Sequence, residues 1–271
     1  MPEPLIEVSD VSVRYAGRRR PRPAPALTEV SLDIRAGETV GLVGESGSGK
    51  TTLGKAILRL VPVSEGSIRL DGRDIGLLSR RELARHVQVV FQNPYLSFNP
   101  GRTIGQTVAE TLPGKHDAGR VTEKLEAVGL DGSAAARYPG QFSGGQLQRI
   151  AIARALMPEP RLIICDEAVS ALDLSVQAQV LNLLTDLKAG HDLAYLFITH
   201  DLAVVRHLAD RVAVLRRGRL VETGEVTEIC GNPAHPYTRA LLAAAPVADP
   251  QEQARRRRLR RELRTPERTA P

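Results

Sequence analysis

The chain has 271 residues, 42% of them apolar and 25% charged, enough for one large domain or two small ones around a sizeable core. No apolar run approaches the roughly 18 residues of a membrane-crossing helix, and the first 25 residues carry no apolar leader ahead of a cleavage site, so the chain is expected to stay in the cytoplasm. The formal net charge of +6 is uneven: residues 251–271 hold eight Arg and three Glu, and the nearly neutral body that is left excludes a broad basic platform for nucleic acid.

Two cysteines, Cys165 and Cys230, are too few for a disulfide framework, and neither belongs to a C-x-x-C pair, so no zinc or iron–sulfur site is indicated. Residues 5–15 alternate as a strand, and Leu27–Ile34 repeats the pattern after an Arg- and Pro-rich stretch, 17–25, that reads as a loop. Tyr15 ends the first strand and has two readings, an aromatic that stacks on an adenine face and ordinary edge packing.

Glu38–Val43 reads as a short buried strand. It enters Gly44-Glu45-Ser46-Gly47-Ser48-Gly49-Lys50-Thr51, which matches G-x-x-x-x-G-K-[ST] at every fixed position. Thr52–Leu60 reads as the helix leaving it, with Leu53, Ile57 and Leu60 on one face. Glycines let successive N–H groups point inward at phosphate oxygens, and the helix start adds its positive dipole end. Lys50 is expected to reach the β- and γ-phosphates, and the Thr51 hydroxyl to ligate Mg²⁺. The rival reading, a Gly/Ser-rich turn, does not require five fixed positions in a strand, loop and helix setting.

Gly66–Leu70 then reads as a strand, Asp71-Gly72 as a turn, and Ser79-x-x-Glu82 as a capping box opening a short helix. Val87–Phe91 is a buried strand ending on Gln92. The next eight residues, 93–100, hold two prolines, two asparagines and two aromatics, the composition of an exposed irregular loop. From Thr103 to Leu156 the periodicity is helical, over Thr103–Leu112, Val121–Val128 and a helix from near Ser143, which predicts an inserted helical subdomain near residues 93–158.

A second strand-rich region opens with the apolar run 161–165, in which Cys165 is a small core residue, and ends in Asp166 and Glu167. Carboxylates delivered at the end of a buried strand suit a ligand edge: Asp166 to hold Mg²⁺, Glu167 to activate a water for attack on the γ-phosphate. A plain helix N-cap is the competing reading, and the phosphate loop upstream disfavours it. Val176–Leu187 is an amphipathic helix, Leu193–Ile198 another buried strand, and His200-Asp201 follows at the same edge.

The segment Phe142-Ser143-Gly144-Gly145-Gln146 resembles the signature motif of the ATP-binding cassette family, although Phe142 stands where leucine is usual. With the phosphate loop, Gln92, Asp166-Glu167, the turn Ser170-Ala171-Leu172-Asp173 and His200, six motifs follow the family order across residues 5–225. The resemblance implies an α/β fold: a P-loop NTPase core with an N-terminal antiparallel β subdomain and an inserted α-helical subdomain. The cassette would span residues 1–245, followed by an Arg-rich, partly disordered tail at 246–271.

ATP and Mg²⁺ are the implied cofactors. By the resemblance Tyr15 stacks on adenine, residues 44–52, Thr52 included, cradle the phosphates, and Gln92 senses Mg²⁺ together with Thr51 and Asp166. Glu167 is then the general base and His200 contacts the γ-phosphate. Ser143, Gly144, Gly145 and Gln146 would meet the γ-phosphate of a nucleotide held by a second subunit packed head to tail, identical or related, with Asp173 working across that interface.

Segments 92–100, 166–173 and 232–239 (Asn-Pro-Ala-His-Pro-Tyr-Thr-Arg) further resemble ATPase subunits of oligopeptide, dipeptide and nickel importers. The expected partners are two membrane permease subunits, reached through the loop after Gln92, and indirectly an extracytoplasmic solute-binding protein, with no nucleic acid. The expected place is the cytoplasmic face of the inner membrane. An exporter subunit and a repair or translation ATPase are the alternatives, and the 232–239 segment disfavours the first. Some relatives carry a cysteine-ligated iron–sulfur cluster near the C-terminus, a feature not carried over because no cysteine follows Cys230. The Arg-rich tail has two readings, a solvated extension and an attraction to anionic lipid.

Overall fold

The computed structural model describes residues 3–15, 25–112, 118–189 and 192–244. The Arg- and Pro-rich stretch before Pro25 and the tail expected at 246–271 lie outside these residues.

In chain order the elements are β1 (Ile6–Val13), β2 (Leu27–Ile34), β3 (Thr39–Val43), α1 (Lys50–Ile57), β4 (Glu65–Leu70), β5 (Arg73–Asp74), α2 (Arg80–His86) and β6 (Val87–Phe91). Then come α3 (Ile104–Ala109), α4 (Ala118–Ala127), α5 (Gly144–Leu156), β7 (Leu162–Asp166), α6 (Leu174–Ala189) and β8 (Ala194–Thr199). The chain continues through α7 (Leu202–Leu208), β9 (Arg211–Arg216), β10 (Arg219–Glu225), α8 (Val226–Gly231) and α9 (Pro236–Ala244).

Two sheets organise these elements. The N-terminal one is antiparallel in the order β2-β1-β4-β5, with Ile6 opposite both Ile34 and Leu70, and Val8 opposite Leu32 and Ile68. Those partners are all buried, so the pairing register keeps one apolar set on the core side. The β4–β5 turn uses positive φ at both Asp71 (48°) and Gly72 (72°), the geometry that matches the twist of a tight hairpin.

The second sheet has the order β10-β9-β3-β8-β7-β6. Here β3, β6, β7, β8 and β9 run parallel, and β10 closes the edge antiparallel to β9. Every residue of β3 and β8 is buried, as expected for parallel strands covered on both faces. Because the strands share a direction, the ends of β3, β6, β7 and β8 meet at one edge, which receives Gly44, Gln92, Asp166 and His200.

Helices α3, α4 and α5 lie in sequence between β6 and β7. Ile104, Val108, Leu125, Leu147 and Ile150 form one apolar cluster that also contains Ile163, Tyr195 and Phe197 of the sheet. The helical stretch therefore shares the core of the sheet. The architecture agrees with the expected α/β core plus antiparallel sheet.

Two local expectations need correction. The helix after the phosphate loop begins at Lys50 and ends at Ile57, with Arg59 in the left-handed region (φ 53°), so Leu60 leaves the apolar face and is 58% exposed. Ser79 does cap α2, accepting from the Glu82 amide at 3.1 Å, but the Glu82 carboxylate turns to Arg73 at 3.2 Å instead of closing the box. Complete capping boxes form at Thr103/Gln106 and Ser143/Gln146. No helix among the described residues is long and apolar enough to cross a membrane.

Candidate functional site

Glycine is required by the backbone at Gly44 and Gly49. At Gly44 (φ 155°) a Cβ would lie 2.1 Å from the Leu215 carbonyl oxygen, and at Gly49 (φ 110°) it would lie 2.6 Å from that of Ala26. Gly49 is also the N-cap of α1, which has no side-chain cap and no acidic residue in its first turn. The helix start thus keeps unmet N–H donors and an uncompensated positive dipole end facing the loop.

Inside the curl, Lys50 is 5% exposed and its ammonium donates to the carbonyls of Gly44 (2.8 Å) and Glu45 (2.9 Å). Burial pulls Lys50 below the usual lysine range, against the pull of the Glu167 and Asp166 carboxylates. The Ser48 hydroxyl is buried with no hydrogen-bond partner among the described residues. A buried cation, an orphaned hydroxyl and a bare helix start together fit a phosphate group.

The carboxylate edge lies beside this loop. The Thr51 hydroxyl donates to Asp166 Oδ1 at 3.0 Å, joining the start of α1 to the end of β7. Burial raises Asp166 above the ordinary carboxylate range; Thr51 opposes the shift and the neighbouring Glu167 carboxylate adds to it. Glu167 holds a positive φ of 51°, anchored by its amide on the Ile198 carbonyl at 2.9 Å. A non-glycine residue in that region costs about 1–3 kcal/mol, and such strain concentrates where side-chain aim matters.

His200 Nδ1 lies 3.5 Å from Glu167 Oε1, and the imidazole is largely exposed. A cleft of about 630 Å³ is lined by Ser46, Thr51, Gln92, Asp166 and Glu167 among others. Thr51, Asp166 and the Gln92 amide supply the hard oxygen donors that suit Mg²⁺. Tyr15, 47% exposed, has its hydroxyl 3.2 Å from Thr52 Oγ1, one residue from Thr51 of the cleft lining. The structure therefore brings together Tyr15, residues 44–52, Gln92, Asp166, Glu167 and His200.

It does not bring Ser143–Gln146 to them. Among the described residues, no hydrogen bond or ion pair joins 143–146 or Asp173 to the phosphate loop. Ser143 Oγ accepts from the Gln146 amide at 3.3 Å, and Gln146 Oε1 accepts from the Ser143 amide at 3.0 Å, so the Gln146 side chain is committed to its own helix. The Gly144 and Gly145 amides, the first two of α5, have no acceptor within the helix. A Cβ at Gly145 would stand 2.3 Å from Val176 Cγ1, which fixes glycine there through contact with α6. Asp173 caps that helix, accepting from the Ser175 and Val176 amides at 3.1 and 3.0 Å. Phe142 is buried under the Arg137 guanidinium, 4.2 Å from its ring centre.

Sequence reasoning missed the groups that hold the phosphate loop from behind. The Gly218 amide donates to the Ser48 carbonyl at 2.8 Å, and the Tyr237 hydroxyl accepts from the Glu45 amide at 3.0 Å. The 232–239 segment was legible as a motif, but nothing in its spacing pointed to residue 45.

Comparisons with known proteins come from three directions. A family model described as "ABC transporter" matches residues 27–170, and one described as "Oligopeptide/dipeptide transporter, C-terminal region" matches 221–271. The glutathione import ATP-binding protein GsiA of Shigella flexneri and that of Escherichia coli K12 are each 49% identical over 265 residues, covering 93% of this chain. The chain spans only 42% of the length of those relatives.

Among solved structures, cbiO1 from Clostridium perfringens, part of the ABC transporter complex cbiONQ, superposes with a TM-score of 0.76 at 25% identity, covering 85% of this chain and 92% of its own. An ATP-binding cassette solved as a dimer in a post-hydrolysis state with ADP and Pi superposes at 0.71 with 29% identity, covering 82% of this chain and 98% of its own.

Proposed function

The chain belongs to the ABC transporter family, and from that premise we propose that it hydrolyses ATP to energise import of a peptide-class solute across a membrane. The observation that carries the reading is the meeting of Lys50, the Thr51–Asp166 pair and the Glu167–His200 pair at one sheet edge. The match of residues 221–271 to the oligopeptide/dipeptide transporter region supports the cargo class, as does the glutathione cargo named for the relatives.

In this reading the amides of the 44–51 curl and the Lys50 ammonium bind the β- and γ-phosphates, with Thr52 at the helix start and Tyr15 against the adenine. Thr51, Asp166 and Gln92 would hold Mg²⁺, which would supply neutralisation of phosphate charge. Glu167 takes a proton from the attacking water, and its fixed backbone aims the carboxylate. His200 steadies that carboxylate and reaches toward the γ-phosphate. Closing the cleft excludes water from the charges, which strengthens each of these contacts.

The unmet amides of Gly144 and Gly145 need a second nucleotide-bearing subunit, identical or related, so the working unit is a head-to-tail pair with Asp173 at its interface. Residues 1–245 form the cassette, 93–158 its helical subdomain and 246–271 a tail. Two permease subunits receive the motion through the loop after Gln92 at the cytoplasmic membrane face, with a solute-binding protein on the other side.

The test is Glu167→Gln. Turnover should fall by about 10²–10³-fold while ATP binding persists; full turnover in that variant would remove Glu167 from its role.

A further inference from the structure

Beyond the groups that face the nucleotide, the phosphate loop is gripped from behind by the end of the described chain. Helix α9 carries Tyr237, 8% exposed, whose hydroxyl accepts the Glu45 amide at 3.0 Å across 192 residues of sequence. Two contacts hold the ring and a third holds its backbone. The Arg216 guanidinium lies 4.8 Å from its centre, His235 packs edge-on at 6.5 Å, and the Tyr237 amide donates to His235 Nδ1 at 3.0 Å.

That last bond makes Nδ1 an acceptor, so the imidazole proton sits on Nε2. The segment is in turn pinned to β10, because the Glu222 carboxylate accepts from the amides of Ala234 (2.6 Å) and His235 (3.2 Å). Tyr237 belongs to the same apolar cluster as Val43, the last residue of β3 before the loop.

We propose that residues 232–239 are a strap on the phosphate loop, with Tyr237 a positioning residue for the nucleotide acting through the Glu45 amide. Gly44 and Glu45 contribute the carbonyls that hold Lys50, so fixing the Glu45 amide fixes the frame from which the ammonium reaches a phosphate. The Gly218 contact to Ser48 holds the far side of the curl, and Tyr237 holds the near side. Without its hydroxyl acceptor the Glu45 amide loses its partner in a part-buried place, and the loop spends time in conformations that do not bind. Affinity then falls by the fraction of time lost. The groups that act on the attacking water, Glu167 and His200, follow β7 and β8, and among the described residues neither bonds to the strap, so the chemical step is spared.

The inference rests on the reading that residues 44–51 hold a nucleotide, and the experiment separates the two. The full chain is titrated with Mg·ADP by calorimetry, and hydrogen exchange is followed at residues 45–50. Tyr237→Phe keeps the ring between Arg216 and His235 and removes only the oxygen. It should bind about five- to tenfold more weakly, with faster exchange in the loop. KM for ATP should rise by the same factor while kcat stays within about twofold.

Arg216→Gln, which loosens the ring without touching the hydroxyl, should weaken binding about twofold. Equal or tighter Mg·ADP binding by Tyr237→Phe, or a loss confined to kcat, overturns the strap. Failure of the unaltered chain to bind Mg·ADP overturns the nucleotide reading instead.

Discussion

The phosphate loop and the signature segment are built from similar parts and finished in opposite ways. Both are Gly- and Ser-rich turns opening a helix, with bare amides at the helix start. Residues 44–51 are enclosed by their own chain: Lys50 fills the curl, Gly218 and Tyr237 hold its back, and Asp166 meets Thr51. Residues 143–146 are capped by their own side chains and pressed onto Val176, and among the described residues they have no hydrogen bond to the carboxylate edge. One element is a completed cradle, and the other is a donor surface turned outward. The difference is what the proposed pairing builds on: the one fold does not bring the two elements together, so a phosphate shared between them would need a second subunit.

Two substitutions break that comparison from either side. The largest effect is expected at Lys50→Met, which removes the buried cation of the completed cradle. Affinity for ATP should fall by about thirtyfold or more, since truncating a buried charge partner costs about 2–5 kcal/mol, and equilibrium binding with a fluorescent nucleotide reads it.

A smaller effect is expected at Gly145→Ala. Its Cβ would stand 2.3 Å from Val176 Cγ1, so the variant should lose about 1–3 kcal/mol of stability and turnover with it, while nucleotide binding to the cradle is retained. Adding Val176→Ala should restore the unfolding midpoint toward that of Val176→Ala alone. If Gly145→Ala instead abolishes binding to the isolated chain, the two elements are not separate in the way the geometry says.

Much of this placement was legible in the sequence because its signals are local. G-x-x-x-x-G-K-[ST] after an apolar strand specifies a backbone path, and the structure puts Gly44–Thr51 on it, from the end of β3 into the first residues of α1. The apolar run ending in Asp166-Glu167 forms β7, and parallel pairing with β6 and β8 gathers its acids with Gln92 and His200. Where the signal is tertiary, the reading failed. Leu60 fits the helical period of Leu53 and Ile57, but the positive φ at Arg59 ends the helix first, a choice set by packing. Glu82 completes a capping-box pattern, yet its carboxylate goes to Arg73 across the β5–α2 connection. The bond between Tyr237 and the Glu45 amide has no local pattern, since it joins the loop to a helix 192 residues away. The elements from α7 to α9 were not read at all, although they carry the groups that brace the loop.

The central claim is that two subunits share each nucleotide, and dilution tests it most directly. ATP turnover per chain is measured across a concentration series, with the mass of the active species determined at each point. Chain that is monomeric by mass should hydrolyse no ATP above background, with activity appearing only in the paired state. Full turnover by a monomer at high dilution would contradict the account.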